Sequence, residues 1–250
     1  MSDQLRILRG GEGDPVLVLL HGMGATSDVW DGLRPVLAAH WPGRWLAPDL
    51  PGHGGSAPLS SYSFGQMAAV IASALPPSGR LAVLGHSLGG VVALTLASGW
   101  FGVPVAAVCG LGIKVAWTAD ELARARALAT RPHLVYPTRA EAAERHLKVA
   151  GLGGLVAAAD FPPEALIQRD GGWALAFDPA AFAMGAPDMA GLIAASRAAV
   201  VLAAGERDPM CPLEGLAALV PTPVILPGLG HNAHVEHPAA LIPILAQLAG

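Results

Sequence analysis

The chain has 250 residues, of which 53% are hydrophobic and 14% charged, and its formal net charge is −4. This length and apolar content predict one large domain, or a core domain with an insertion, and exclude intrinsic disorder. The slightly acidic balance lacks the basic footprint of nucleic-acid-binding proteins, so we expect no nucleic-acid partner.

Cysteine usage and hydropathy set further expectations. Cys109 and Cys211 are too few for a disulfide framework and lack metal-ligand spacing, so no metal or cofactor is expected. Residues 1–6 lack the basic-then-apolar pattern of a signal peptide. Residues 81–113 contain no Asp, Glu, Lys or Arg, but Pro104 and several glycines interrupt them, which favours buried strands over a membrane span. We therefore expect a cytoplasmic protein without a membrane partner.

Strand-like and helix-like segments alternate along the first half of the chain. The predicted strands of this half are residues 5–8, 16–20, 44–47, 81–84 and 103–109. Ser63 and Gln66 have the spacing of a capping box and predict a helix through about residue 75. A helix-like run at residues 91–97 follows the fourth strand. The alternation predicts βαβ units and a mostly parallel sheet.

The pattern changes between residues 113 and 196. Two capping-box patterns, at Thr118 with Glu121 and at Thr138 with Glu141, each open an Ala-rich helix. Further helical starts follow at Pro162 and Asp188, and the only strand-like run is a weak one at residues 173–177.

The sheet pattern resumes with strands predicted at residues 198–203 and 222–226, and a last helix at 238–248. We therefore assign residues 1–112 and 197–250 to an α/β core. Residues 113–196 are interpreted as a helical cap inserted into it.

The most informative stretch is Gly85-His86-Ser87-Leu88-Gly89, which fits G-x-S-x-G between a predicted strand and a predicted helix. Such a turn is tight and places the serine hydroxyl at the carboxyl edge of the sheet, above a helix N-terminus. Ser87 is therefore the candidate nucleophile. In isolation the motif also fits a glycine-rich turn with a solvated serine.

A serine nucleophile needs a base and an acid that orients the base. Working residues in open α/β sheets follow the carboxyl ends of strands, which selects Asp208 and His231 after the last two predicted strands. Their order after Ser87 is the one expected of an α/β-hydrolase triad. The weighed competitors are His21, His86, His234 and His237 for the base and Glu206 for the acid. Of these, His86 is interpreted as a packing residue, and His21 is expected to have a structural hydrogen-bonding role.

The oxyanion of a tetrahedral intermediate needs two donors. The backbone N–H of Leu88, next to the nucleophile, is one candidate. The segment His21-Gly22-Met23-Gly24 follows an early strand, and the N–H of Met23 is the second candidate.

Together these motifs resemble the α/β-hydrolase superfamily over nearly the whole chain, and the small capped serine esterases and lactonases in particular. The motifs that carry the resemblance are His21-Gly22-Met23-Gly24, Asp49-Leu50-Pro51-Gly52-His53-Gly54, the nucleophile elbow Gly85-His86-Ser87-Leu88-Gly89-Gly90, Gly205-Glu206-Arg207-Asp208 and Gly230-His231. The resemblance implies an α/β fold with an eight-stranded, mostly parallel sheet, helices on both faces and a helical lid.

The function expected is hydrolysis of a small-molecule carboxylic ester or lactone through an acyl-enzyme. Alternatives are a C–C bond hydrolase of ring-cleavage diketones and a ligand-sensing receptor of the same fold. Candidate pocket residues in the cap are Trp117, Phe161, Trp173, Phe177, Phe182 and Met184. Three cap arginines, Arg124, Arg126 and Arg131, either bind a substrate carboxylate or form a solvated helix face, the interpretation favoured here.

Overall fold

A computed structural model of the protein describes residues 5–77, 79–158 and 162–250. The main sheet has seven strands in the order β1-β3-β2-β4-β5-β8-β9, and β6 and β7 form a separate two-stranded sheet. The strands are β1 (Ile7–Gly10), β2 (Val16–Leu20), β3 (Trp45–Pro48), β4 (Leu81–His86), β5 (Val105–Leu111), β6 (Leu166–Arg169), β7 (Gly172–Leu175), β8 (Ala199–Gly205) and β9 (Val224–Leu226).

The main sheet is parallel apart from its first edge strand. β1 pairs with β3 antiparallel, and the other neighbouring strands pair in parallel. The α/β class and the mostly parallel sheet are thus as expected. The seven strands of the main sheet are those that the residue pattern predicted. The eighth strand, implied only by the resemblance, is not found in this sheet among the described residues.

Nine α-helices are found in the part of the chain that the structure describes. They are α1 (Arg34–His40), α2 (Phe64–Ala74), α3 (Leu88–Ala97), α4 (Ala119–Ala129), α5 (Arg139–Val149), α6 (Met189–Ala195), α7 (Leu213–Ala217), α8 (Ala233–Glu236) and α9 (Ile242–Ala249). Across the described residues, no helix is both long and apolar enough to cross a membrane.

The core lies in two layers, one on each face of the sheet. Alternate residues of β2 point to opposite faces, so that Val18 packs with α2 and α3 while Leu19 packs with α1 and α9. Every residue of α3 is buried, which explains why its sequence shows no polar face. Helices therefore cover both faces of the sheet.

Helix starts follow the predicted capping residues. Thr118 and Thr138 form complete capping boxes with Glu121 and Glu141. At the third site only half of the box is present, because Ser63 accepts from the Gln66 backbone while the Gln66 amide donates to the Ser61 hydroxyl.

The segment between β5 and β8 carries α4, α5, the β6–β7 hairpin and α6. It contacts the loop after β3 through backbone hydrogen bonds, from Gly54 N–H to the Ala176 carbonyl (2.7 Å) and from Asp178 N–H to the Gly52 carbonyl (2.8 Å). The division into core and cap remains our interpretation. Phe161, one of the candidate pocket residues, lies outside the described residues.

Candidate active site

Ser87 occupies a strained turn between β4 and α3. Its φ of 50° and ψ of −116° lie in a region that non-glycine residues rarely adopt. The flanking glycines make the turn possible, since a Cβ on Gly85 would lie 2.1 Å from the Gly89 carbonyl oxygen and one on Gly89 would lie 2.3 Å from the Leu20 carbonyl oxygen. The strand–turn–helix geometry that the motif predicts is therefore present.

Asp208 and His231 form a hydrogen-bonded pair. Asp208 Oδ2 lies 2.8 Å from His231 Nδ1, and Asp208 Oδ1 accepts the Met210 backbone N–H at 2.8 Å. The carboxylate is fully buried while 17% of the His231 side chain is exposed. Each carboxylate oxygen of Asp208 thus accepts one hydrogen bond. Because Nδ1 of His231 is engaged with Asp208, Nε2 is the ring nitrogen that can accept a proton.

Gly112, directly after β5, lies against this pair. Its φ is +60°, and a Cβ there would lie 3.3 Å from Asp208 Oδ2 and 3.4 Å from His231 Nδ1. Its N–H donates to the Ala203 carbonyl at 2.8 Å. This glycine was not recognised as a site residue in the sequence, although it follows a strand in the same way as Asp208.

His86, interpreted from the sequence as a packing residue, also makes a specific bond. Its Nε2 lies 2.9 Å from the backbone carbonyl oxygen of His231, so Nε2 carries the hydrogen and donates. Burial lowers the pKa of His86 well below its ordinary value, and the neighbouring His234 and His231 lower it further. The neutral ring therefore ties the elbow to the backbone of the candidate base.

His234 packs behind the site rather than in it. Its ring lies 4.4 Å from that of His86 and 4.6 Å from that of Trp30, centroid to centroid. Both of its ring nitrogens are buried, and within the described part of the chain neither has a hydrogen-bond partner. Burial lowers its pKa to about 3.

The loop after β2 is held by His21. Its Nε2 accepts the Leu50 backbone N–H at 2.8 Å, and its Nδ1 donates to the Gly22 carbonyl at 2.9 Å. Acceptance at Nε2 requires the neutral ring, in agreement with the lowering of the pKa of His21 by burial. The structural hydrogen-bonding role expected of His21 is the one observed.

The N–H groups of Met23 and Leu88 stand next to Ser87. Among the described residues, neither donates to a backbone or side-chain acceptor. Both residues line the same cavity as Ser87. Their role as oxyanion donors remains a prediction.

Ser87 opens into a cavity of about 530 Å³ between the sheet edge and the inserted segment. Its wall is mostly apolar, and its charged members are Lys114, Glu121, Arg124 and Arg126. Lys114 and Glu121 form an ion pair, and the hydrogen bond from Lys114 lowers the pKa of Glu121 to about 2.

The structure divides the candidate pocket residues into two groups. Trp117, Phe182 and Met184 line the cavity of Ser87. Trp173 and Phe177 do not: Trp173 packs in the small core of α5 and the hairpin, and Phe177 stacks on His53 with ring centroids 4.8 Å apart.

Several lining residues were not identified from the sequence. They are apolar side chains from different elements: Phe64, Val91, Ile113, Leu122, Leu128, Val149 and Met210. Only Met210 carried a signal, because it follows Asp208 in the same loop.

The strand order, the elbow and the placement of Asp208 and His231 after β8 and β9 define the α/β-hydrolase fold class. The model of the alpha/beta hydrolase family matches residues 17–244. The chain belongs to that family.

Curated relatives include esterases and a synthase. A pimeloyl-[acyl-carrier protein] methyl ester esterase of Nitrosomonas europaea is 48% identical over 83 residues, which is 33% of this chain and 31% of that protein. The matched stretch thus spans less than a third of that esterase. A 2-succinyl-6-hydroxy-2,4-cyclohexadiene-1-carboxylate synthase of Escherichia coli is 30% identical over 249 residues, or 96% of this chain and 95% of that protein.

Solved structures share the fold at low identity. A thioesterase domain from the curacin biosynthetic pathway superposes with a TM-score of 0.78 at 21% identity, covering 97% of this chain and 95% of that one. An esterase of Thermogutta terrifontis superposes with a TM-score of 0.70 at 22% identity, covering 97% and 90%.

Proposed function

We propose that the protein is a serine hydrolase that cleaves a carboxylic ester or lactone through an acyl-enzyme. The observation that carries the proposal is the 2.8 Å contact between Asp208 and His231 beside the strained elbow of Ser87. A nucleophile after β4, an orienting acid after β8 and a base after β9 are the parts that acyl transfer requires.

In the proposed reaction, Ser87 Oγ attacks the substrate carbonyl while Nε2 of His231 takes its proton. Asp208 holds the Nδ1–H of His231 and stabilises the imidazolium that forms. The N–H groups of Leu88 and Met23 donate to the oxyanion. The C–O bond then breaks, the alcohol leaves with the proton from His231, and water repeats the sequence to release the acid.

The relatives support the class of reaction. The Nitrosomonas europaea relative is a methyl ester esterase by name, and it matches 33% of this chain. The mostly apolar wall around Ser87 favours an apolar acyl chain.

A second candidate is a synthase reaction that yields a cyclic carboxylate. It is favoured by the 30% identity to the E. coli synthase over 249 residues. The two candidates differ in whether the enzyme turns over simple esters.

Turnover of p-nitrophenyl butyrate and of methyl octanoate by the wild type and by Ser87→Ala tests the proposal. We expect rapid multiple turnover by the wild type and loss of about 10⁶-fold in kcat in the variant. A folded wild type that hydrolyses neither ester, nor a lactone panel, contradicts ester hydrolysis. A single slow acylation without turnover favours the ligand-sensing receptor.

A further inference from the structure

A second cavity adjoins the cavity of Ser87. It has a volume of about 350 Å³ and lies between the end of α4, α5 and the segment after β7. Four of its lining residues are Arg131, His133, Arg145 and Lys148, and we call this cavity the basic annex. Its remaining wall is largely apolar and includes Leu175, Phe177 and Pro179.

The annex and the catalytic cavity have three lining residues in common. Leu128, Val149 and Phe182 line both of them. All three are apolar and partly buried, so the boundary between the two cavities is apolar.

The charge of the annex is one-sided. No Asp or Glu lines it, and among the described residues Arg131, Arg145 and Lys148 make no ion pair within 4.0 Å. The catalytic cavity also carries Arg124 and Arg126, but its lining includes an acid, Glu121, which pairs with Lys114.

The position of these cations on α5 is set by helical geometry. Arg145 and Lys148 are three residues apart and therefore lie on one face, while Ala143 and Leu147 are buried on the other side of the helix. Two like charges at this spacing repel each other on the helix surface. An anion between them removes that repulsion.

We propose that the basic annex binds an oxyanion at the far end of the substrate's acyl chain. The substrate class is then an ester whose acyl chain ends in a carboxylate or a phosphate, such as a half-ester of a dicarboxylic acid. The ester carbon sits at Ser87, the chain crosses the boundary at Leu128, Val149 and Phe182, and the anion meets Arg145, Lys148 and Arg131. This inference rests on the proposed ester hydrolysis for its reaction but not for its binding site.

The test compares kcat/KM for monomethyl octanedioate with that for methyl octanoate, which has the same chain without the second carboxylate. We expect the wild type to prefer the half-ester. In the double variant Arg145→Gln/Lys148→Gln this preference should fall by about 10- to 100-fold, mainly through KM, because a charge-assisted hydrogen bond contributes roughly 1.5–3 kcal/mol. Arg169→Gln, an exposed cation on the hairpin outside both cavities, is the matched control and should keep the wild-type preference.

A series of half-esters from monomethyl succinate to monomethyl decanedioate tests the distance between Ser87 and the annex. Because that distance is fixed, kcat/KM should be highest at one chain length. A methyl ester ending in a phosphate distinguishes the two oxyanions. Equal kcat/KM for the half-ester and the neutral ester overturns the proposal. So does a preference that survives in the double variant and disappears in Arg124→Gln/Arg126→Gln, because those cations line the catalytic cavity.

Calorimetry with octanedioate separates this proposal from the ester hydrolysis itself. If octanedioate binds the wild type and binds the double variant at least tenfold more weakly, anion binding by the annex is supported even when no ester is turned over. If esters are hydrolysed but octanedioate binds both proteins equally or not at all, the annex proposal fails and the proposed function remains.

Discussion

Replacing His86 by Phe tests how the candidate base is held in place. Phenylalanine keeps the volume and the ring contacts but removes the Nε2–H that donates to the His231 carbonyl at 2.9 Å. His86 is 3% exposed, so water does not readily replace the lost donor.

The size of the effect follows from that buried carbonyl. Removing one partner of a buried hydrogen bond costs roughly 1–3 kcal/mol. For a protein of this size, this lowers Tm by about 2–12 °C. If the same bond also positions His231 in the transition state, kcat falls by roughly 5- to 150-fold.

The assay is kcat for p-nitrophenyl butyrate, together with Tm, for His86→Phe and for the control His234→Phe. The control replaces a neighbouring ring whose buried nitrogens have no hydrogen-bond partner among the described residues. It removes no hydrogen bond and relieves two desolvated nitrogens, so we expect an unchanged or higher Tm and kcat within about tenfold of the wild type. Equal losses in the two variants, or no loss in His86→Phe, refute this reasoning.

Three further predictions concern stability, the acid–base pair and the oxyanion. Burial lowers the pKa of His53 and His234 to about 3 and that of His146 to about 4, from 6.5. Between these values the unfolded chain binds more protons than the folded one, so the free energy of unfolding should fall as the pH drops below about 6.5, by roughly 1.4 kcal/mol per pH unit for each histidine. Urea denaturation at pH 7 and pH 5 checks this, and equal stabilities contradict it. Gly112→Ala should lose about 1–2 kcal/mol of stability through its positive φ and should also lower kcat by displacing the Asp208–His231 pair. Gly171→Ala is the control: it has the same backbone strain with nothing within 4 Å of the new Cβ, so it should lose stability without loss of kcat. If kcat is similar in both variants, the new Cβ at residue 112 does not displace the Asp208–His231 pair. For the oxyanion, Met23→Leu should keep kcat within about tenfold, whereas an ester in place of the Gly22–Met23 peptide bond should lower kcat by roughly 10²–10³; full activity of the ester variant excludes Met23 as a donor.

Much of the scaffold could be predicted because its signals are local. The buried parallel strands are uninterrupted apolar runs, and Val16–Leu20 was predicted with its observed bounds. The elbow is encoded in five consecutive residues. The capping boxes at Thr118 and Thr138 predict the starts of their helices.

The wall of the cavity could not be predicted, because it depends on how distant segments pack. Phe177 and Phe182 are both apolar residues of the inserted segment, yet only Phe182 reaches the cavity of Ser87 while Phe177 stacks on His53. The β6–β7 pairing escaped prediction as well, since β6 carries exposed polar residues and offers no apolar run. The arginines were interpreted as a solvated face because the sequence does not reveal the cavities beside them.

The most direct test of the central claim is the mass of the acyl-enzyme formed at Ser87. The wild-type protein is mixed with p-nitrophenyl butyrate, quenched in acid within the first turnovers, digested and analysed by mass spectrometry. We predict a butyryl group on the peptide that contains Ser87, formed in a burst of p-nitrophenol, and neither adduct nor burst in Ser87→Ala. A butyryl group on another residue, or steady turnover by Ser87→Ala at a few per cent of the wild-type rate, would contradict the assignment of Ser87 as the nucleophile.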